Sequence, residues 1–178
     1  MSELNKARTT AVWQRGPVAG FPAEMQPAVH AFLDVIEECA LEVSDLTHEQ
    51  LWARPGGVAS VGFHLMHVAG STDRLISYAF GEALNDTQRE YLKTEAVVQD
   101  ASVTPAMLAA RSGQFMRETM DRLRDLDPAT YQEIRYVGRA RIESTVWGLV
   151  FHAAEHAARH AGQLVTTSRV LRGMAADR

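Results

Sequence analysis

Three histidines stand four residues apart near the end of the chain, at His152, His156 and His160. On a helix, residues four apart lie on one face about one turn from each other, with Cβ atoms roughly 5–6 Å apart. Two imidazoles at that separation can bind one metal ion. A second pair, His64 and His67, lies far upstream in an apolar stretch. The histidine pattern therefore predicts a helical protein built around a metal ion.

Imidazole nitrogen is a good ligand for zinc and nickel, and a catalytic site typically combines three protein ligands with one open position. One helix can supply two histidines a turn apart, so a third ligand must come from another helix. His64 and His67 are the upstream histidines available for that role. Imidazoles buried without partners would each cost on the order of a few kcal/mol, and a metal ion removes much of that cost. The alternative is a stripe of solvated surface histidines that binds no metal.

The bulk composition predicts one domain of ordinary size, spanning residues 1–178. Net charge is −4, from 18 basic and 22 acidic residues, and no block of Lys or Arg indicates a nucleic-acid surface. No run reaches the ~18 apolar residues of a membrane span, and the N-terminus lacks the apolar core of a signal peptide. Cys39, the single cysteine, allows no intrachain disulfide and is expected to be a buried, inert thiol. These features favour a cytoplasmic protein.

The histidines must be held by regular elements, and apolar periodicity with capping residues predicts four long helices. We expect these helices at about residues 23–43, 61–80, 105–126 and 146–171, after an N-terminal arm of residues 1–22. The expected caps are Ser60, Thr104 and either Ser144 or Thr145 at helix starts, and Gly81 and Gly173 at helix ends.

The connections between these helices are long. Thr47, with Gln50 three residues later, predicts a short helix that begins with a capping box. Residues 82–103 form a polar connection with a turn or two of helix around residues 86–92, and residues 131–143 form a hairpin-like or extended loop. Since no alternating strand pattern appears, the fold class is all-α, a four-helix bundle whose long connections allow crossovers.

Two segments of the chain resemble the DinB-like superfamily of four-helix-bundle metalloproteins. The stretch HAAEHAARHAGQL resembles its C-terminal signature, and His156, His160, Gly162 and Gln163 match that signature in place. In SVGFHLMHVAGSTDRL, which resembles the apolar run of the family's second helix, His67 occupies the position of the third ligand. The resemblance extends in order over nearly the whole chain, including the segment LTHEQLWARP before the second helix.

The resemblance implies three metal ligands, which are His67, His156 and His160. Four further polar residues are then expected to lie around those ligands: His64, His152, Glu155 and Gln163. Gly162 is expected to permit close helix packing, because a glycine inside a helix costs about 1 kcal/mol relative to alanine.

The same resemblance implies a function, since the superfamily includes metal-dependent transferases and isomerases that use small cytosolic thiols such as bacillithiol or mycothiol. We therefore expect a metal-dependent enzyme of the small-thiol S-transferase or hydrolase type, with zinc or nickel bound and a small thiol as possible cofactor. The expected partners are a small-molecule substrate and, in one alternative, a second copy of the chain in a homodimer; no nucleic acid or membrane is expected.

An open coordination position separates this enzyme from the competing hypothesis, a non-catalytic helical bundle that a metal stabilises for a structural, stress-response or interaction role. A structural zinc site normally has four protein ligands, and His64 or His152 could supply the fourth. For the enzyme we expect an open site facing a pocket, lined by the second and fourth long helices and by Tyr136.

Overall fold

The computed structural model describes residues 10–176 of the chain, and the first part of the predicted N-terminal arm, residues 1–9, lies outside that range. Within residues 10–176 there are six α-helices: α1 (Gln26–Glu42), α2 (His48–Trp52), α3 (Val61–Ala79), α4 (Asp86–Thr94), α5 (Pro105–Arg122) and α6 (Val146–Ala176). A hairpin of β1 (Ile134–Val137) and β2 (Ile142–Thr145) precedes α6, with Ile134 opposite Thr145 and Val137 opposite Ile142.

The four long helices α1, α3, α5 and α6 pack as a bundle, which confirms the predicted fold class. The main contacts are α3 with α6, α1 with α6, α3 with α5 and α1 with α5, whereas α1 with α3 and α5 with α6 share few. The helices of each of these last two pairs therefore lie diagonally across the bundle. The connection between α5 and α6 joins diagonal helices and is therefore a crossover, as predicted. The long connection between α3 and α5 is not a crossover, because it joins neighbouring helices. The other crossover is the connection between α1 and α3.

Helix starts follow the capping chemistry that the sequence predicts. The hydroxyl groups of Ser60, Thr104 and Thr47 each accept a hydrogen bond from the backbone N–H three residues later. Each bond satisfies one of the donors that the first turn of a helix leaves unpaired. These caps fix where α3, α5 and α2 begin, and the cap of α3 lies only four residues before His64.

Two predicted boundaries are wrong at the ends of the later helices. Gly173 does not terminate the last helix, because α6 continues through it to Ala176 and is 31 residues long, or about 46 Å. The helix α5 ends at Arg122 rather than at residue 126, and a short turn of 3-10 helix, Leu123–Asp125, follows it. Neither difference moves the histidine-bearing turns of α3 and α6.

The core lies between the four long helices, and its largest fully buried side chains are Phe32, Met25, Leu51, Leu65, Ile76, Met116, Leu123 and Leu164. Burial of each such side chain contributes roughly 1.5–3 kcal/mol relative to exposure. Cys39 belongs to this core, and burial raises the pKa of its thiol to about 12, as expected of an inert cysteine. Among the described residues, no helix has both the length and the apolar character needed to cross a bilayer.

Candidate metal centre

The helices α3 and α6 bring His67, His156 and His160 together. Each offers one ring nitrogen, and these three atoms all lie within 4.8 Å of one another. Nε2 of His67 is 3.0 Å from Nε2 of His156. The His160 ring centroid is 4.5 Å from the centroid of each of the other two rings. The three histidines therefore form a cluster that could hold one metal ion.

Small residues on the buried face of α6 allow this approach, and they are Ala153, Ala154, Ala157 and Ala161. The distance between packed helices depends on the side chains at the contact, so a face of alanines lets two backbones come close. His156 and His160 lie beside this face, one turn apart, and remain half-buried. The imidazoles of α6 can then meet His67 across the contact between α3 and α6.

A buried carboxylate fixes the ring of His67. Glu95, only 2% exposed, accepts a hydrogen bond from Nδ1 of His67 at 2.8 Å. The other oxygen of Glu95 accepts a hydrogen bond from Nη1 of Arg74 at 2.6 Å. A metal-binding histidine commonly donates its second ring N–H to a carboxylate, which sets the tautomer and the orientation of the ring. With its proton on Nδ1, neutral His67 has its lone pair on Nε2, the atom that faces His156.

The other two imidazoles are held neutral by their surroundings. Burial, together with the nearby His67, lowers the pKa of His156 to about 4 and that of His160 to about 3. Metal ligation requires a neutral imidazole with a free lone pair. Nδ1 of His67 already donates to Glu95. The close contact between Nε2 of His67 and Nε2 of His156 therefore brings together two nitrogens that would both serve as ligands. The donor set therefore fits a zinc or nickel ion.

His64 lies next to this cluster without belonging to it. Its side chain is buried, and Nδ1 lies 3.0 Å from Nδ1 of His160. Burial is the first cause, and the nearby His67 the second, that lowers the pKa of His64 to about 4. Among residues 10–176, no fourth His, Cys, Asp or Glu joins the group of three donor atoms. His64 therefore contacts His160 but adds no fourth donor to the group.

His152 and Glu155 lie on the exposed side of α6. Nδ1 of His152 is 2.7 Å from Oε1 of Glu155, and Nη2 of Arg159 donates to both oxygens of Glu155. The ring centroid of His152 is 5.6 Å from that of His156, so this surface network adjoins the cluster. Half of the His152 side chain is exposed, which separates its environment from that of the other histidines on α6.

A groove of about 770 Å³ runs beside the cluster, and His64 and Arg159 are part of its lining, whereas the three clustered histidines are not. Gln163 lies on the exposed side of α6 one turn after His160 and also lines this groove. The packing role predicted for Gly162 is wrong, since this residue is exposed and a Cβ there would meet no atom within 4 Å. Gly162 too faces the groove.

Tyr136 does not line the pocket that was predicted for it. It lies half-exposed on β1, with the guanidinium carbon of Arg141 4.1 Å from the centroid of its ring. The hairpin is tied to the far end of α3, where Nε of Arg135 donates to the backbone oxygen of Ala79. His67 lies 12 residues earlier on the same helix, roughly 18 Å along its axis.

Glu95 and Arg74 contribute to the candidate site and were not identified from the sequence. Glu95 follows α4 in the connection that the sequence predicts to be a polar loop. The sequence feature that could have indicated this contact is Gly70, a glycine inside the apolar α3 and three residues after His67. A Cβ at Gly70 would clash with Oε1 of Glu95 and would lie 2.6 Å from the ring of Tyr91. Only a glycine there lets the end of α4 come close enough for Glu95 to reach His67.

Comparison with known protein families gives one match. The sequence model of the DinB superfamily matches residues 31–164, a range that contains all three clustered histidines and Glu95. No curated protein matches the chain.

Proposed function

Because the chain belongs to the DinB superfamily, we propose that it is a divalent-metal-dependent enzyme that activates a small thiol and transfers it to a small-molecule substrate. The proposed ligands are His67, His156 and His160. One observation carries this proposal: three imidazole donors come together, and no fourth donor among residues 10–176 joins them. Structural zinc sites normally have four protein ligands, whereas catalytic sites have three and an open position.

Zinc or nickel bound at such a site supplies Lewis acidity, which brings the pKa of a thiol or water in the open position toward neutrality. The chain's own residues would prepare that position. Glu95 holds the Nδ1 proton of His67 and so directs Nε2 toward the site. Arg74 keeps the buried carboxylate paired, which limits the cost of burying its charge. The low pKa values of His156 and His160 keep their lone pairs available at neutral pH.

The proposed transfer balances with two substrates. The thiol loses its proton to solvent, its sulfur forms a bond to an electrophilic carbon of the second substrate, and the group displaced from that carbon leaves with the bonding electron pair and takes up a proton. In the related hydrolysis, water takes the place of the thiol. A cytoplasmic location suits this chemistry, because small thiols are kept reduced there. Formation of a homodimer stays a prediction.

The test is a titration of the cobalt-substituted protein with 2-mercaptoethanol, followed by absorption spectroscopy. A sulfur-to-metal charge-transfer band is expected, together with loss of cobalt binding in His160→Ala and its retention in His152→Ala. The absence of the band, combined with loss of cobalt in His64→Ala as complete as in His160→Ala, would identify a closed site. The non-catalytic, metal-stabilised bundle would then replace the enzyme as the function.

A further inference from the structure

The groove beside the cluster lies between α6 and the segment that leads into α3. Its lining is mostly apolar or small and includes Val58, His64, Arg159, Gly162, Val170 and Met174. At about 770 Å³, its volume falls in the range of small-molecule sites, which are roughly 300–1,000 Å³. Val58, Val170 and Met174 are large apolar side chains that this face leaves exposed to solvent.

The charge that lines the groove is positive. Arg159 is its only charged lining residue among the described residues, and no carboxylate lines it. Of the three guanidinium nitrogens of Arg159, only Nη2 donates to the neighbouring Glu155, which also contacts Nδ1 of His152. Within residues 10–176, Nε and Nη1 of Arg159 make no hydrogen bond and can donate to a ligand. A guanidinium pairs best with a carboxylate or another oxyanion.

His64 provides a second polar group in the lining of the groove. Its side chain is 3% exposed, and Nδ1 is occupied by Nδ1 of His160. If His160 presents Nε2 to a metal, its Nδ1 carries the proton and donates it to His64. Neutral His64 then has its own proton on Nε2, an atom that has no hydrogen-bond partner within residues 10–176. A ligand in the groove that His64 lines can accept a hydrogen bond from this atom.

We propose that the groove binds a small molecule with an apolar body and one carboxylate. The carboxylate pairs with Arg159 and accepts a hydrogen bond from Nε2 of His64, and the apolar body lies along the neighbouring part of the groove, over Gly162. His64 and Arg159 both adjoin His160, through a hydrogen bond and through the chain respectively, so the carboxylate end lies toward the metal centre. The assignment of the groove to the second substrate rests on the proposed function. The proposal that the groove binds a carboxylate does not.

The experiment is calorimetric titration of the protein supplied with zinc, using 4-phenylbutyrate as the ligand and 4-phenylbutylamine, which has the same apolar body, as the reference. The carboxylate is expected to bind about tenfold or more tightly than the amine, the size of one charge-assisted hydrogen bond. Arg159→Gln should remove that preference. Arg111→Gln is the matched control, because Arg111 is exposed on α5, diagonally across the bundle from α6. Equal affinity for the two ligands in the unmodified protein would overturn the proposal.

A second variant tests the location. Gly162→Leu places a side chain in the groove where no atom lies within 4 Å of the new Cβ, so the fold should tolerate it. It should weaken 4-phenylbutyrate binding about tenfold or more, whereas Gly162→Ala should leave it nearly unchanged. Retained affinity in Gly162→Leu, with an unchanged melting curve, would exclude this groove.

The link to the metal centre is tested separately with the cobalt-substituted protein. If 4-phenylbutyrate binds at the second-substrate site, it should shift the visible bands of cobalt through the contact between His64 and His160. Binding that leaves these bands unchanged would overturn the substrate assignment. Protein that binds the carboxylate but takes up no metal would overturn the proposed function and leave the groove as a binding site.

Discussion

Glu95 accepts a hydrogen bond from Nδ1 of His67 at 2.8 Å, although 28 residues and a change of helix separate them. The carboxylate also pairs with Arg74 on α3, seven residues or about two turns beyond His67. The orientation of one metal-facing imidazole therefore depends on a residue just beyond α4 as well as on the bundle itself.

Removal of the Glu95 carboxylate charge should weaken metal binding without changing the ligands. Glu95→Gln is expected to lower zinc affinity about 10- to 100-fold, because the amide holds the His67 ring and its tautomer less firmly. Competition with a chromophoric chelator measures the affinity. Glu90→Gln is the control, because Glu90 lies on the exposed side of α4 and pairs with Lys93. Equal zinc affinities for both variants would show that Glu95 does not orient the ligand.

Each chain should bind one divalent ion through the three clustered histidines. His156→Ala and His160→Ala are each expected to reduce the metal content of the loaded protein from one equivalent to near zero, since two imidazoles bind too weakly to hold the ion. His152→Ala should retain the full equivalent, because its ring pairs with Glu155 at the surface. Elemental analysis after dialysis gives the stoichiometry. A full equivalent in His160→Ala would contradict the ligand assignment.

The metal-free protein should lose stability as the pH falls from about 6.5 toward 4. The folded state lowers the pKa of His64 and His156 to about 4 and that of His160 to about 3, against ~6.5 in the unfolded chain. In that window the unfolded chain binds more protons, so the free energy of unfolding decreases with falling pH, and the full contribution is present above about pH 6.5.

Urea denaturation at pH 7.5, 6 and 5 measures this dependence. His64→Leu removes one of the three titrating groups and should flatten the slope of the unfolding free energy against pH. A free energy of unfolding that stays constant between pH 7.5 and 5 would show that these imidazoles are not buried in the neutral form.

Two glycine-to-alanine changes should have opposite effects. Gly70→Ala brings a Cβ against Glu95 and Tyr91 and is expected to lower the free energy of unfolding by about 1–3 kcal/mol and to weaken zinc binding. Gly162→Ala adds a Cβ that touches nothing and should raise the free energy of unfolding by up to about 1 kcal/mol. Thermal and urea unfolding measure both. Equal stability of the two variants would show that the contact with Gly70 is not tight.

The sequence predicts the features that depend on local spacing. Helix caps such as Ser60 and Thr104, and the turn-by-turn repeat of His156 and His160, follow from short-range geometry, and the bundle and its family are confirmed. The role of Glu95 could not be predicted in this way, because it depends on how the end of α4 docks against α3. Gly162 was expected to pack closely against another helix but is exposed. Its place in the motif does not reveal whether that face of the helix points to the core or to solvent.

The contact between α3 and α6 joins parts of the chain that are far apart in sequence, since His67 and His156 are 89 residues apart. An ion held by both helices acts as a reversible cross-link that closes a loop of this length. In the unfolded chain the ligands are dispersed and bind poorly, so bound metal would shift the folding equilibrium toward the native state. Hydrogen exchange would then slow most in the two bridged helices, and proteases that attack transiently opened chains would cut the loaded protein more slowly.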